Sequence, residues 1–200
     1  MLAITSSSAV APSSLASPTL SLPSHNGRPV HGVRFARNEG HLLATCAFDG
    51  TARLWKASGY YESVQVLKCS TSPLLQVDWS LRNESLLVAS SDFSAQAWDV
   101  ESMQKVGKFH GHSLYVNGIC AYEDFGAATS SDDGTVRLWD LRVGGEEACT
   151  HTFTVGREVT SVAWSQKNSC WFWACSFFLV TLTFHWRGEN HIYSNLLRQS

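Results

Sequence analysis

A chain of 200 residues, 44% hydrophobic and 16% charged, has the composition of a globular protein that buries a sizeable core, which excludes disorder throughout. Its formal charge of −2 leaves no basic excess, so nothing at chain level supports a surface that grips naked nucleic acid by its phosphates. The six cysteines, Cys46, Cys69, Cys120, Cys149, Cys170 and Cys175, lack paired CxxC spacing, which argues against a zinc site or disulfide framework and reads as reduced intracellular thiols packed as small hydrophobes.

Residues 1–23 are built from Ser, Ala, Pro and Leu without a Lys, Arg, Asp or Glu, and carry prolines at 12, 18 and 23. Without a basic start this is a poor secretory signal, and the prolines oppose a continuous helix, so the segment reads as a flexible leader. From residue 24 a repeat takes over. Three stretches, FDGTARLWK, SDFSAQAWD and SDDGTVRLWD, close on Trp55, Trp98 and Trp139, spaced 43 and then 41 residues apart. That interval lies inside the roughly 40 to 45 residues of one four-stranded propeller blade. An all-β fold follows, and a repeat of this length points to a scaffold that binds partners.

The third unit, residues 110–142, is the most complete. Gly111 and His112 open it, residues 116–121 alternate as a strand, and residues 126–131 form a run of small residues. Asp133 and Gly134 then supply a tight turn before a strand in which Val136 and Leu138 face one side, Arg137 and Trp139 the other. Six residues before each tryptophan stand Asp49, Asp92 and Asp133; eight before stand Ala47, Ser90 and Ser131. By that count the hydroxyl is missing from the first unit, which has His25 after Ser24 in place of Gly, and the second has no histidine near residues 70–72. The third is therefore expected to be the most rigid.

A fourth unit begins with HTFT and with the alternation VTSVAW, then stops after Gln166. Thr181 occupies the place of the next closing tryptophan, and residues 167–200 contain no aspartate to make the turn. The aromatic run over 170–186 is interrupted by Ser176, Thr181, Thr183 and His185, too polar and short for a membrane span of about 20 apolar residues. Residues 167–200 are expected to lie outside the repeat pattern, as a coding sequence does when it crosses a junction near Gln166 and Lys167.

A GH pair, a small-residue strand, a DG turn and a closing WD at these offsets resemble WD40 repeats. What the resemblance implies is an incomplete WD40 β-propeller over 24–166, about three and a half blades where the family closes seven. It also implies a buried chain in which the Trp139 indole donates to Ser131, which engages His112, which engages Asp133; the other units contribute Ser90, Asp92 and Trp98, and His25, Asp49 and Trp55. A histidine, an aspartate and a hydroxyl could suggest hydrolysis, yet in this family they are internal struts. No GxSxG, HExxH, GxGxxG or phosphate-loop pattern occurs, and Gly144 and Gly145 read as a loop, so no enzyme, cofactor or metal is expected.

The order of complete and degenerate repeats, HGHSLYVNGIC, SDDGTVRLWDLR and then TFTVGREVTSVAW with no GH before it, is similar to the WD-repeat subunits of the U5 small nuclear ribonucleoprotein. That resemblance covers about residues 17–166. It implies a non-catalytic subunit of the nucleus that docks onto the spliceosomal core scaffold and other U5 components and works in pre-mRNA splicing. The alternative is a general WD40 adaptor, such as a ubiquitin-ligase substrate receptor or a chromatin-associated scaffold, since one fold hosts many roles. By family position the rim residues that meet partners are His31, Phe48, Leu75, Ser91, Tyr115, Asn117, Asp132 and Thr160, with Tyr115 foremost because aromatics dominate binding hot spots. A sheet at either end of an open array leaves one face uncovered, so self-association is expected.

Overall fold

The computed structural model describes residues 25–37, 39–57, 61–122, 125–143, 146–165, 170–175, 181–187 and 191–197; the leader expected over 1–23 lies outside the described residues. Among the described residues, sixteen strands form four antiparallel sheets of four. The first holds β1 (Val30–Ala36), β2 (Glu39–Ala47), β3 (Thr51–Ala57) and β4 (Tyr61–Lys68). The second holds β5 (Leu74–Trp79), β6 (Ser85–Ser90), β7 (Ala95–Asp99) and β8 (Lys105–Phe109). β9 (Val116–Tyr122), β10 (Gly126–Ser131), β11 (Thr135–Asp140) and β12 (Cys149–Thr154) make the third. Each is a meander, with strands paired in chain order.

The fourth sheet departs from the sequence reading. β13 (Ser161–Ser165) is joined by β14 (Cys170–Cys175), β15 (Thr181–Arg187) and β16 (His191–Leu197), so residues expected to leave the repeat pattern complete a sheet in place of half a blade. The physical reason lies in composition: the segment is dense in Trp and Phe and carries Val180, Thr181, Thr183, Ile192 and Tyr193, residue types that favour strands, and it needs no aspartate to pair them. A missing turn carboxylate removes a brace without removing the sheet.

Alternation gives each sheet two dissimilar faces. In the first, Val33 and Phe35 of β1 lie on the face of Leu43, Thr45, Arg53 and Trp55, while Gly32, Ala44, Cys46, Ala52 and Leu54 lie on the other. The second and third sheets repeat this division into a tryptophan face and a face of small and aliphatic residues. The innermost strands β1, β5, β9 and β13 stand next to one another in turn. The small-residue face of sheet one therefore meets Val77, Trp79, Leu86 and Val88 of sheet two. Leu87, Ala89, Ala95, Ala97 and Phe109 of sheet two meet Ile119, Ala121, Ala127 and Trp139 of sheet three, and Cys120, Ala128, Val136, Leu138 and Phe153 of sheet three meet Val162. Small residues on one partner let the bulky tryptophan face of the next approach closely, the interdigitation that dense cores require.

Inner strands present one unpaired edge, and neighbours cap it. The Trp79 indole donates to the Arg34 carbonyl at 3.0 Å, and Asn83 accepts from the Arg37 amide at 2.8 Å while donating back to its carbonyl. Asp78 accepts from Arg37 and from the Ala121 amide at 2.9 and 3.0 Å, linking three sheets through one carboxylate. Buried backbone donors left bare would each cost about 1–3 kcal/mol, so these caps hold sheet to sheet as well as closing edges.

At the turn after β2, Gly50 takes φ +74°, and its carbonyl accepts from the amides of Cys69 and Ser70, both at 3.1 Å. A Cβ there would sit 2.0 Å from the Ser70 carbonyl oxygen, whereas one at Gly40 on β2 would meet nothing within 4 Å. Gly50→Ala is expected to cost on the order of 2 kcal/mol in urea denaturation, and Gly40→Ala to leave stability unchanged or slightly raised.

Candidate functional site

Two features converge on one end of the blades: a buried polar chain that fixes each blade, and an exposed rim carried by the loops it holds. Both start from the turn aspartates. Asp133 accepts from the Thr135 amide at 2.9 Å and hydroxyl at 2.6 Å, fixing the start of β11. His112 sets its Nδ1 2.8 Å from Asp133 and its Nε2 2.7 Å from the Thr129 hydroxyl, which accepts the Trp139 indole N–H at 2.8 Å. The donors fall in one consistent order: indole N–H to hydroxyl, hydroxyl to Nε2, Nδ1–H to carboxylate. Trp139, Thr129, His112 and Asp133 each find a partner with the imidazole neutral.

The bridging hydroxyl is thus Thr129, where the sequence count had placed Ser131. Register explains the difference. Ala127 on β10 lies opposite Trp139, so Thr129 is the same-face residue one diagonal step away, while Ser131 stands roughly 13 Å along the strand. Ser131 instead accepts from the Asp133 amide at 3.1 Å and donates to the Leu114 carbonyl at 3.3 Å. The same shift applies to sheet one, whose hydroxyl was counted as lost. Trp55 donates to Thr45 at 2.9 Å, Thr45 lies 2.8 Å from His25 Nε2, and His25 Nδ1 lies 3.2 Å from Asp49. Sheet one is braced as fully as sheet three.

Sheet two has a substitute. Trp98 donates to the Gln96 side chain at 3.0 Å, and Gln96 donates onward to the Cys69 carbonyl at 3.0 Å, so one amide replaces hydroxyl and histidine together. Ser90 caps the Asp92 amide at 3.2 Å, and Asp92 is held by Ser94, Ser70 and Lys108. In all three sheets the register slips at the tryptophan, between Leu54 and Trp55, Ala97 and Trp98, and Leu138 and Trp139. The extra residue at each slip, 64, 106 or 150, stands on the fourth strand, so a bulge recurs beside the closing tryptophan of each of the three sheets.

A threonine, a histidine and an aspartate in hydrogen-bond series have the outline of a hydrolytic relay. Here the hydroxyl is wholly buried, accepts an indole proton and faces no cleft, so the arrangement is a strut.

The rim is built by a backbone bond that three sheets share. Phe48 donates to the Pro29 carbonyl, Ser91 to Pro73 and Asp132 to Tyr115, each pinning the loop after a second strand against the entry to the first. These bonds bring Phe48, Ser91 and Asp132 beside the entries to the strands that carry His31, Leu75 and Asn117, with Tyr115 the acceptor of the third bond, and Thr160 stands just before β13. His31 and Phe48 meet edge to face with ring centres 5.9 Å apart, and both are exposed, as is Tyr115. Leu75 is half-buried. Asn117 is spent on Asp132 and the Val159 carbonyl, Thr160 on the Cys175 carbonyl and Ser91 on the Pro73 carbonyl. These last groups shape the rim from within.

One rim residue was missed. Phe93 stands at φ +66° where the equivalent turns carry Gly50 and Gly134, and its exposed ring lies 5.6 Å from that of Tyr115. A bulky side chain in the left-handed region is strained by about 1–3 kcal/mol. The signal was in the alignment of the three stretches, where SDFS has phenylalanine in the place of the turn glycine.

Titration follows from this geometry. Burial lowers the pKa of His112 and His25 below the ordinary 6.5, and the neighbouring Asp133 and Asp49 offset it only in part. For Asp133 burial acts to raise the pKa, but hydrogen bonds from Thr135 and then His112 outweigh it and hold the carboxyl below 3.8; Asp49 and Asp92 shift the same way. The folded state thus binds fewer protons than the unfolded chain in both ranges. Stability is expected to be full above about pH 6.5, to fall as the histidines are forced to charge below it, and to fall again below about pH 3.8, as urea denaturation across a pH series would record. Thr129→Val, which strands the indole and imidazole, is expected to cost on the order of 2–3 kcal/mol in the same assay, more than Ser131→Ala.

The family model described as "WD domain, G-beta repeat" matches residues 16–56 and 103–140, the segments that end in the two histidine-braced tryptophans. The U5 small nuclear ribonucleoprotein 40 kDa protein of Dictyostelium discoideum is 30% identical over 158 residues, covering 78% of this chain and 43% of that protein. Its Homo sapiens counterpart is 32% identical over 159 residues, with the same two shares. A guanine nucleotide-binding protein subunit beta of Arabidopsis thaliana is 28% identical over 190 residues, covering 85% of this chain and 50% of that protein. The chain thus spans half or less of the length of these relatives. With period, meander, brace and matched segments in agreement, the chain carries WD40 repeats.

Proposed function

We propose that this protein is a non-catalytic scaffold subunit of the U5 small nuclear ribonucleoprotein, docking in the nucleus onto the spliceosomal core scaffold and acting in pre-mRNA splicing through protein contacts. WD40 repeats mediate protein–protein interactions, and the observation that carries the finer reading is the match to U5 40 kDa proteins from three organisms across 78% of the chain. The rim supports it physically. Phe48, Phe93 and Tyr115 are exposed aromatics held on braced loops, so little side-chain entropy is lost when a partner covers them. The neutral composition fits contact with proteins in place of direct binding to RNA.

A second reading is an adaptor outside the spliceosome. It is favoured by the comparable matches to the G-protein beta subunit and to the THO complex subunit 6 of Arabidopsis thaliana, the latter 29% identical over 156 residues. Affinity purification from cells expressing the tagged chain separates the two: U5 proteins in the eluate are the expected result, and cullin-type ligase subunits or chromatin proteins without them would sink the first reading. Phe93→Gly provides a sharper probe, because it removes strain and the aromatic pair with Tyr115 in one change. It is expected to keep or raise the melting temperature while weakening recovery of the captured partner at least tenfold.

A further inference from the structure

The rim stands at the starts of the inner strands; toward their ends lies a cavity of about 320 Å³, lined from β1, β5, β9 and β13 together. Three charged side chains border it: Arg34, Arg37 and Asp78. Asp78 is already committed, accepting from Arg37 Nη2 at 2.9 Å and from the Ala121 amide at 3.0 Å. Arg37 Nε donates to the Trp79 carbonyl at 3.3 Å, which fixes the plane of the guanidinium and leaves Nη1 with no bond among the described residues. Arg34 pairs with Ala44 on the face of sheet one turned toward sheet two. Its guanidinium has no hydrogen-bond or ion-pair partner among the described residues, and neither has the half-buried side-chain amide of Gln76. Two guanidiniums against one carboxylate give the lining a net positive charge, set among the apolar walls of Leu81, Ile119 and Val162. Such walls exclude water and strengthen the pull on an anion.

We propose that this cavity binds a glutamate side chain presented by an acidic segment of a partner protein, with the carboxylate held by Arg34 and Arg37. The planar fork of a guanidinium matches the two oxygens of a carboxylate, and the Gln76 amide supplies a further donor. A single added negative charge neutralises the lining. A phosphate ester, which carries about two negative charges at neutral pH, would leave an excess beside Asp78. Glutamate also has two methylenes to lay along Leu81, Ile119 and Val162, which a chain terminus lacks. The cavity shares no residue with the exposed rings of Phe48, Phe93 and Tyr115, so the inference does not rest on the spliceosomal reading, and a segment bound here leaves the rim free.

NMR titration of the full chain with the capped tripeptide acetyl-Gly-Glu-Gly-amide tests the proposal, read at the Trp164 indole, which borders the cavity, and at the arginine Nε–H signals. Saturable shifts at these groups are the expected result, with the glutamine counterpart binding about tenfold more weakly or less. Arg34→Gln is expected to weaken binding of the glutamate peptide about tenfold or more. Arg34 is exposed, so β-type circular dichroism should persist in the variant. Lys68→Gln removes the same charge from an exposed position outside the cavity and is expected to leave binding unchanged. Inorganic phosphate, and acetyl-Gly-Gly with a free carboxyl terminus, are expected to bind less tightly than the glutamate peptide. The proposal is overturned by the lack of a saturable shift, by equal binding of the glutamine peptide, by parental affinity in Arg34→Gln, by an equal loss in Lys68→Gln, or by tighter binding of phosphate or of the free terminus. If Arg34→Gln loses its β signal, Gln76→Leu takes its place and is expected to weaken binding about fivefold.

Discussion

A buried indole N–H has to find an acceptor, and the protein meets that requirement with a side chain from the neighbouring strand. In sheets one and three the acceptor is a threonine whose own proton goes to a histidine, and the histidine reaches the carboxylate that shapes the next turn. A single chain of hydrogen bonds therefore fixes second strand, third strand, turn and entry loop at once. Removing any member strands the others, which makes the blade cooperative.

The repeat, the all-β class and the identity of the tryptophans, histidines and aspartates were legible because each rests on spacing along the chain. The bridging hydroxyl was not, because it depends on register between two strands. Thr129 and Ser131 project on the same face of β10, and only the pairing of Ala127 with Trp139 decides which lies within reach. The same ambiguity hid Thr45 behind Ala47. Strand pairing among residues 170–175, 181–187 and 191–197 was hidden for a related reason, since it draws on aromatic and β-branched composition and on no turn aspartate. The rim readings for Asn117, Thr160 and Ser91 rested on family position, which carries no signal that these groups are consumed by internal bonds.

Sheet two shows what the brace permits. With Gln96 standing in for both hydroxyl and histidine, its tryptophan is half-buried and its entry loop is free of the histidine that ties down the others. The turn of that same sheet carries Phe93 in a strained conformation in place of glycine. A residue that costs folding energy and points its ring outward gains nothing for the core. Its value lies in the contact with Tyr115 of the adjacent sheet, which joins two loops from different blades into one aromatic surface.

Division of labour between faces and rim then governs what the molecule can bind. The internal junctions join the small-residue side of one sheet to the tryptophan side of the next, and the loops of the rim stand clear of them. There the exposed rings sit on backbone pinned by the Phe48, Ser91 and Asp132 amides, and a partner meets a surface already ordered. Packing between sheets and exposure at the rim thus use different parts of each blade, and a change at one need not disturb the other.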